Sequence, residues 1–360
     1  MFSSSKGLPI KRLLVMRFGA MGDAAMTVPV LYALATQHPD LRITMLTRTR
    51  FVPMFEWLPA NVQVKGVDFA EHDGIVGLTK MFGNLKKGNF DAVADLHNVL
   101  RSKYLRTCFA MLGVKVAKVN KGRMEKKQLI GHGVDHEPLK HMTERYAEVF
   151  RSLGLSVDLS QKMQLNLLHE RCAVLNNLAG EKSLADQWVG VAPFAAHLQK
   201  IYPLDRMQQV VSLLADQGCK VFLFGAGRKE AKVLEAWEEE YQERKGGGKV
   251  INICGKMEGL RNEMLLMSKL NLMISMDSAN MHIASIFGTP VLSIWGATHP
   301  KAGFSGYGQS PDSEMQLEEL NCRPCSIYGK KPCRFGDLRC MNIAPDKVVE
   351  KACEMINQKM

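Results

Sequence analysis

The 360-residue sequence predicts an α/β protein made of two Rossmann-like, doubly wound domains facing a central cleft. Three observations predict it. Short apolar runs of strand length alternate with segments of helical period, the pattern of parallel sheets joined by right-handed crossovers. The alternation runs through twice, with a polar stretch between the two series. Strand-like runs end in glycine or other small residues that open the next helix, as at Gly19 to Asp23 and at Gly225-Ala226-Gly227. Such strand ends are where these folds hold ligands.

The elements follow in order. Leu13-Leu14-Val15-Met16 is four apolar residues between Lys11-Arg12 and a glycine, which reads as a strand buried on both faces. A helix is expected over 24–37, then strands at 42–46, 92–95 and 115–119, with helices at 77–87, 102–111 and 141–153. The second series has strands at 188–192, 220–224, 250–252, 270–275 and 290–295, with helices at 204–217, 228–241, 261–269 and 281–287. The expected organisation is an N-terminal domain over 1–165, a linker over 166–187, a C-terminal domain over 188–345 and a terminal helix over 346–360.

Composition sets the class. The chain is 46% hydrophobic, enough for two cores, yet has no run of 18 apolar residues and no apolar segment of signal-peptide length before the first strand. A cytoplasmic protein is expected. Nine cysteines, an odd number, agree with that, since Cys108, Cys172, Cys219, Cys254 and Cys353 are scattered like reduced core thiols. The net charge of +11 is lopsided: residues 1–165 carry 24 Lys and Arg against 14 Asp and Glu, residues 166–360 carry 23 against 22. Clusters at Lys86-Lys87, at Arg101, Lys103 and Arg106, and from Lys115 to Lys127 read either as a solvated basic face or as a surface for phosphates, nucleic acid or an anionic bilayer.

Four strand ends carry candidate chemistry. Asp277-Ser278-Ala279-Asn280-Met281-His282 places a carboxylate, a hydroxyl and an imidazole at a helix start, where backbone N–H groups attract anions. The same Asp-Ser pair also suits a helix cap with no ligand. Gly19 and Gly22 allow close backbone approach in a glycine loop that includes Met21, on the acceptor side, before Asp23, which is either a cap or a base held in a cleft. Lys200 lies in the loop after 188–192, where it can neutralise a phosphate; the alternative is an ordinary loop lysine. Glu230 follows Gly225-Ala226-Gly227 and is placed to chelate a ribose diol.

Taken together, Met21-Gly22-Asp23, Lys200-Ile201-Tyr202-Pro203, Asp277 to His282 and Gly288-Thr289-Pro290-Val291 resemble glycosyltransferase family 9, the lipopolysaccharide heptosyltransferases of GT-B fold. Cys322-Arg323-Pro324-Cys325 and Cys340-Met341 look like the cysteine-bearing tail of one branch. The resemblance implies an inverting, metal-independent transfer of a heptose from an ADP-sugar to the lipopolysaccharide inner core, with no cofactor. It implies that Asp23 is the general base, that Lys200 steadies the diphosphate and Glu230 the ribose, and that Asp277 holds sugar hydroxyls. Ser278 and the Ala279 backbone would face the phosphates, with His282 close behind. The family usually has glycine where this chain has Ala279, which bears on how closely the backbone approaches the phosphate. The implied partners are a nucleotide-sugar donor, an acidic lipid-linked saccharide acceptor and the anionic inner face of the inner membrane, with no nucleic acid.

Two other classes remain open at this level. A nicotinamide oxidoreductase shares the alternating pattern, with Arg48 available for a 2′-phosphate, but Gly19-x-x-Gly22 lacks the dinucleotide fingerprint. A non-catalytic binder of RNA or membrane would suit the charge, but aromatics are 7% and do not interleave with the basic clusters. The spacing Cys322-x2-Cys325-x7-Cys333-x6-Cys340 admits zinc, disulfides or free thiols.

Overall fold

The computed structural model describes residues 9–132, 136–161, 163, 167, 170 and 172–358. The chain divides into two compact units, Met1–Lys121 with Thr143–Lys162, and Gly122–Met142 with Met163–Met360. Both are α/β.

The first unit contains β1 (Arg12–Met16), α1 (Met21–Ala25), α2 (Val28–Gln37), β2 (Arg42–Arg48), β3 (Val62–Val67), α3 (Gly74–Lys86), β4 (Ala92–Asp95), α4 (Leu100–Met111) and β5 (Lys115–Lys118). Its sheet has the order β3-β2-β1-β4-β5, every pair parallel. Leu13 to Met16 are wholly buried, as expected of a central strand covered on both faces. The expected helix over 24–37 is two helices: Pro29 sits in the first turn of α2, where its missing N–H and fixed φ suit a new start. β3 was not foreseen. It alternates exposed and half-buried residues at the sheet edge, so it lacks the continuous apolar run of an inner strand.

Helix α5 (Arg123–His132), also unforeseen, belongs by its contacts to the second unit, whereas the sequence reading kept everything up to 165 in the first. The physical reason is local. Leu139 and Met142 donate backbone hydrogen bonds to Lys301 and Gly303, and Lys126 lies buried over the Phe304 ring at 4.3 Å. α6 (Met142–Ser152) then returns to the first unit.

The second unit continues with α7 (Ala173–Ala179), inside the expected linker, part of which lies outside the described residues. After it come β6 (Trp188–Ala192), α8 (Leu204–Asp216), β7 (Lys220–Leu223), α9 (Gly227–Lys245), β8 (Val250–Asn252), α10 (Leu260–Lys269), β9 (Leu272–Met276), α11 (Ala279–Ile286), β10 (Val291–Ile294), β11 (Glu314–Met315) and α12 (Pro345–Asn357). The sheet order is β11-β10-β9-β6-β7-β8, again all parallel. In each sheet the direction of strand progression reverses beside the first strand, between β1 and β4 and between β6 and β9. Loops leaving the carboxyl ends of those strands splay apart and leave a crevice, the usual ligand position in open parallel sheets.

Candidate active site

Each unit places candidate residues at its own reversal point, with Glu230 one strand further on, after β7. In the first, Gly19 leads from β1 into α1, whose first three residues are Met21, Gly22 and Asp23. The Asp23 side chain is 28% exposed and forms an ion pair with Arg17, which is 4% exposed. Arg17 is itself fixed: Nη1 donates to the Leu96 carbonyl at 2.7 Å, and the guanidinium lies 5.7 Å from the Tyr146 ring centroid. Asp23 Oδ2 also accepts from the Ala20 amide at 3.3 Å, so the cap reading and an aimed carboxylate coexist.

Two groups here escaped the sequence reading. Arg17 opens the junction after β1 without having been assigned a role, and His97 follows β4, which is next to β1 only because residues 93 to 95 pair with 14 to 16. The His97 ring meets Phe18 edge-on at 5.9 Å, and its Nδ1 is buried with no hydrogen-bond partner among the described residues. Burial first, then the Arg17 charge, lowers its pKa from 6.5 to about 3, so the imidazole is neutral through the physiological range. A histidine whose pKa is depressed by folding contributes stability that is complete above about 6.5 and is lost as pH falls towards 3, because the unfolded chain then binds the extra proton. His97→Gln is therefore expected to flatten the fall in unfolding free energy across that window. Chemical denaturation at stepped pH checks it; parallel curves for variant and parent would remove the assignment.

In the second unit, Lys200 in the loop after β6 pairs with Asp277 after β9, Nζ to Oδ2 2.8 Å, with side chains 13% and 8% exposed. The two groups meet across the β6–β9 reversal. Ser278 occupies the N-cap of α11 in an extended conformation but makes no capping bond; its Oγ lies 3.0 Å from Ser275 Oγ. The first-turn amides that begin at Ala279 therefore receive no side-chain cap from Ser278, and the helix end keeps its attraction for an anion. His282 is buried one turn further along α11. Glu230 lies in the first turn of α9 and accepts from the Ala226 amide at 2.7 Å. A Cβ on Gly225 would fall 3.3 Å from Glu230 Cβ and 2.9 Å from Leu234 Cδ1, so glycine lets the loop close onto that side chain. Nearby, burial pushes the Glu263 carboxyl up to about 7, another group the sequence did not single out.

The structure revises parts of the basic surface. Arg106 is bound to the buried Asp95 at 2.7 Å, and Lys126 is 5% exposed, so neither adds to a free cationic patch. All nine cysteines are free, and among the described residues no three His, Cys, Asp or Glu side chains are grouped to hold a metal ion. Burial raises the Cys340 thiol to about 11 and Cys325 in the same direction, whereas backbone hydrogen bonds, first that of Phe335, lower Cys333. Since the thiolate is the reactive form, iodoacetamide at pH 8 is expected to label Cys333 before Cys325 and Cys340. Peptide mass spectrometry over time reads the order, and simultaneous labelling of the three would contradict it.

Two all-parallel sheets, one with a carboxylate and the other with a lysine and an open helix end at the reversal point, make a two-domain α/β fold with a site in each half, and the family match makes it a glycosyltransferase. Residues 78–335 match Glycosyltransferase family 9 (heptosyltransferase), and the chain belongs to that family. It is 24% identical over 292 residues to lipopolysaccharide heptosyltransferase 3 of Escherichia coli, covering 77% of this chain and 80% of that one. It is 23% identical over 335 residues to lipooligosaccharide heptosyltransferase 2 of Campylobacter jejuni, covering 92% and 95%. Among solved structures, a family 9 glycosyltransferase of Veillonella parvula superposes with a TM-score of 0.75 at 20% identity over 99% of this chain and 100% of that one. The E. coli ADP-heptose lipopolysaccharide heptosyltransferase II does so with 0.69 at 18% identity, over 97% and 99%. The oxidoreductase and non-catalytic readings have no support among these relatives.

Proposed function

We propose that the protein transfers a heptose from an ADP-linked donor to an acidic saccharide of the lipopolysaccharide inner core, with inversion and without a metal. The observation that carries the donor half is the Lys200–Asp277 pair beside the uncapped start of α11. A departing diphosphate needs positive charge that is already in place; the ammonium of Lys200 and the amides of α11 supply it, which is the work a divalent cation does in other transferases. Asp277 holds the lysine until phosphate arrives and is then free to accept from sugar hydroxyls, while Glu230 is placed for the ribose. For the acceptor half, Asp23 takes the proton of the attacking hydroxyl, its carboxylate oriented by Arg17, and the neutral His97 beside it offers a hydrogen-bonding edge that carries no charge. The relatives support this reading, since heptosyltransferase WaaC of E. coli was solved with ADP.

Calorimetry with ADP in EDTA tests the donor site, and no binding at millimolar nucleotide would defeat it. Mass spectrometry of products from a panel of nucleotide sugars, with a heptose-free core acceptor, tests the reaction. We further propose that it works in the cytoplasm, held at the inner membrane by basic side chains of the first 165 residues. Among the described residues no helix is long and apolar enough to cross a membrane. Several Lys and Arg near an anionic surface, each worth about 1 kcal/mol, give salt-sensitive attachment. Flotation should recover the protein with anionic vesicles at low salt, and equal recovery with neutral vesicles would overturn the membrane proposal.

A further inference from the structure

The cysteine-bearing segment 322–341 is the one motif that the transfer chemistry leaves without a task. Its thiols are not where it touches the site. Arg323, fully buried, donates from Nε to the Gly296 carbonyl, from Nη1 to Leu317, and from Nη2 to Trp295, Thr298 and the Gln316 side chain. Cys325 and Ser326 donate backbone N–H groups to the Ala297 carbonyl, and Ser326 Oγ accepts from the Lys330 amide at 3.1 Å. The segment is thus clamped to the loop after β10, and that loop is tied to the Lys200 turn by the Ala297 amide, which donates to the Gln199 carbonyl at 3.3 Å. At the tip of the clamped segment, Gly329 lies against the lysine itself. A Cβ built on Gly329 falls 2.5 Å from Lys200 Cγ and 2.6 Å from Cδ, and its φ of +74° is one that glycine adopts without cost.

We infer that Gly329 is a positioning residue for Lys200: the arginine-anchored segment presents a bare backbone as a wall along the lysine stem and aims Nζ at Asp277 and the donor diphosphate. Without that wall the four-carbon stem has many rotamers, and ordering them would oppose nucleotide binding. The inference rests on Lys200 serving the diphosphate, as proposed above. A side chain at 329 pushes the stem away, separates Nζ from Asp277 and weakens the donor, while the acceptor half is untouched.

The test compares Gly329→Ala with Gly336→Ala. Gly336 lies in the same segment with nearly the same φ, +75°, but a Cβ there meets nothing within 4 Å, so it reproduces the backbone strain without the contact. Gly329→Ala is expected to weaken ADP affinity and raise the donor KM at least about fivefold, with kcat changed less, the pattern of lost ground-state binding. Gly336→Ala is expected to leave both unchanged. In a Lys200→Ala background Gly329→Ala should add almost nothing, since neighbours acting through one contact are non-additive. A fourth measurement needs no nucleotide: the rate at which acetic anhydride labels Lys200 in the free protein, read by mass spectrometry, should rise in Gly329→Ala and not in Gly336→Ala. If ADP fails to bind the parent protein, the donor reading fails, and the labelling rate still decides where the lysine is held. The inference is overturned if Gly329→Ala labels like the parent, binds ADP like the parent, or loses the same affinity with and without Lys200.

Discussion

Asp23→Asn is expected to lower turnover by about 10²–10⁴-fold, the usual loss when a positioned general base is removed. The substitution keeps the shape and an oxygen able to accept from the Ala20 amide, so it separates the carboxylate's chemistry from its place at the start of α1. Arg17 makes the test sharper. The guanidinium sits 4% exposed with Asp23 as its carboxylate partner and Leu96 as its carbonyl acceptor, and the amide oxygen of asparagine can still receive it. ADP affinity, placed in the other unit, should survive, and the melting temperature should move by a few degrees at most. If the variant keeps more than about a third of parental turnover, below the smallest loss typical of a base, the aspartate is only a cap.

Arg323→Met is expected to destabilise the second unit by several kcal/mol. Two effects oppose each other. Burial already disfavours the charged guanidinium, so its removal relieves a desolvation cost. Against that, the buried carbonyls of Trp295, Gly296 and Thr298 lose this donor at once, and the part-buried Leu317 carbonyl loses it as well. Each buried group left unpaired costs about 1–3 kcal/mol, and three of them exceed the relief, leaving a net loss of about 3 kcal/mol. At about 2–4 °C per kcal/mol for a unit of this size, the melting temperature should fall by roughly 6–12 °C. A shift of less than about 2 °C would mean that water or rearranged donors satisfy the carbonyls and that the anchor is weak.

Legibility in the sequence followed burial. Strands covered on both faces, such as β1, β6 and β9, were readable as unbroken apolar runs, and the residues after them marked the candidate site. The edge strand β3 was not, because Val62, Val64 and Val67 are interrupted by Gln63, Lys65 and Gly66, all three exposed. Helix α5 was hidden for a different reason: Arg123-Met124-Glu125-Lys126-Lys127 shows no apolar stripe, and besides Leu129 its inward-facing group is Lys126, whose ammonium lies over Phe304. At the site, Lys200 and Asp277 were legible singly, whereas their pairing, like that of Arg17 with Asp23 and the nearness of His97, depends on which strands lie side by side. Local periodicity carries no such information.

The path of the chain through α5 has a bearing on how the protein is made. Residues 122–142 leave the ribosome early but belong with Lys301, Gly303 and Phe304. At synthesis rates of 5–20 residues per second, their partners arrive roughly 8–30 s later. During that interval the first unit can close its own sheet, since β1 to β5 are complete by Lys118, while the segment after it waits unpaired. A fragment ending at residue 162 should therefore be cut by dilute protease within α5, and α5 of the full-length chain should resist. A nascent chain that keeps a basic, unfinished loop on display for that long offers chaperones a defined handle, and a cut in it would sever the first unit from the α6 that completes it.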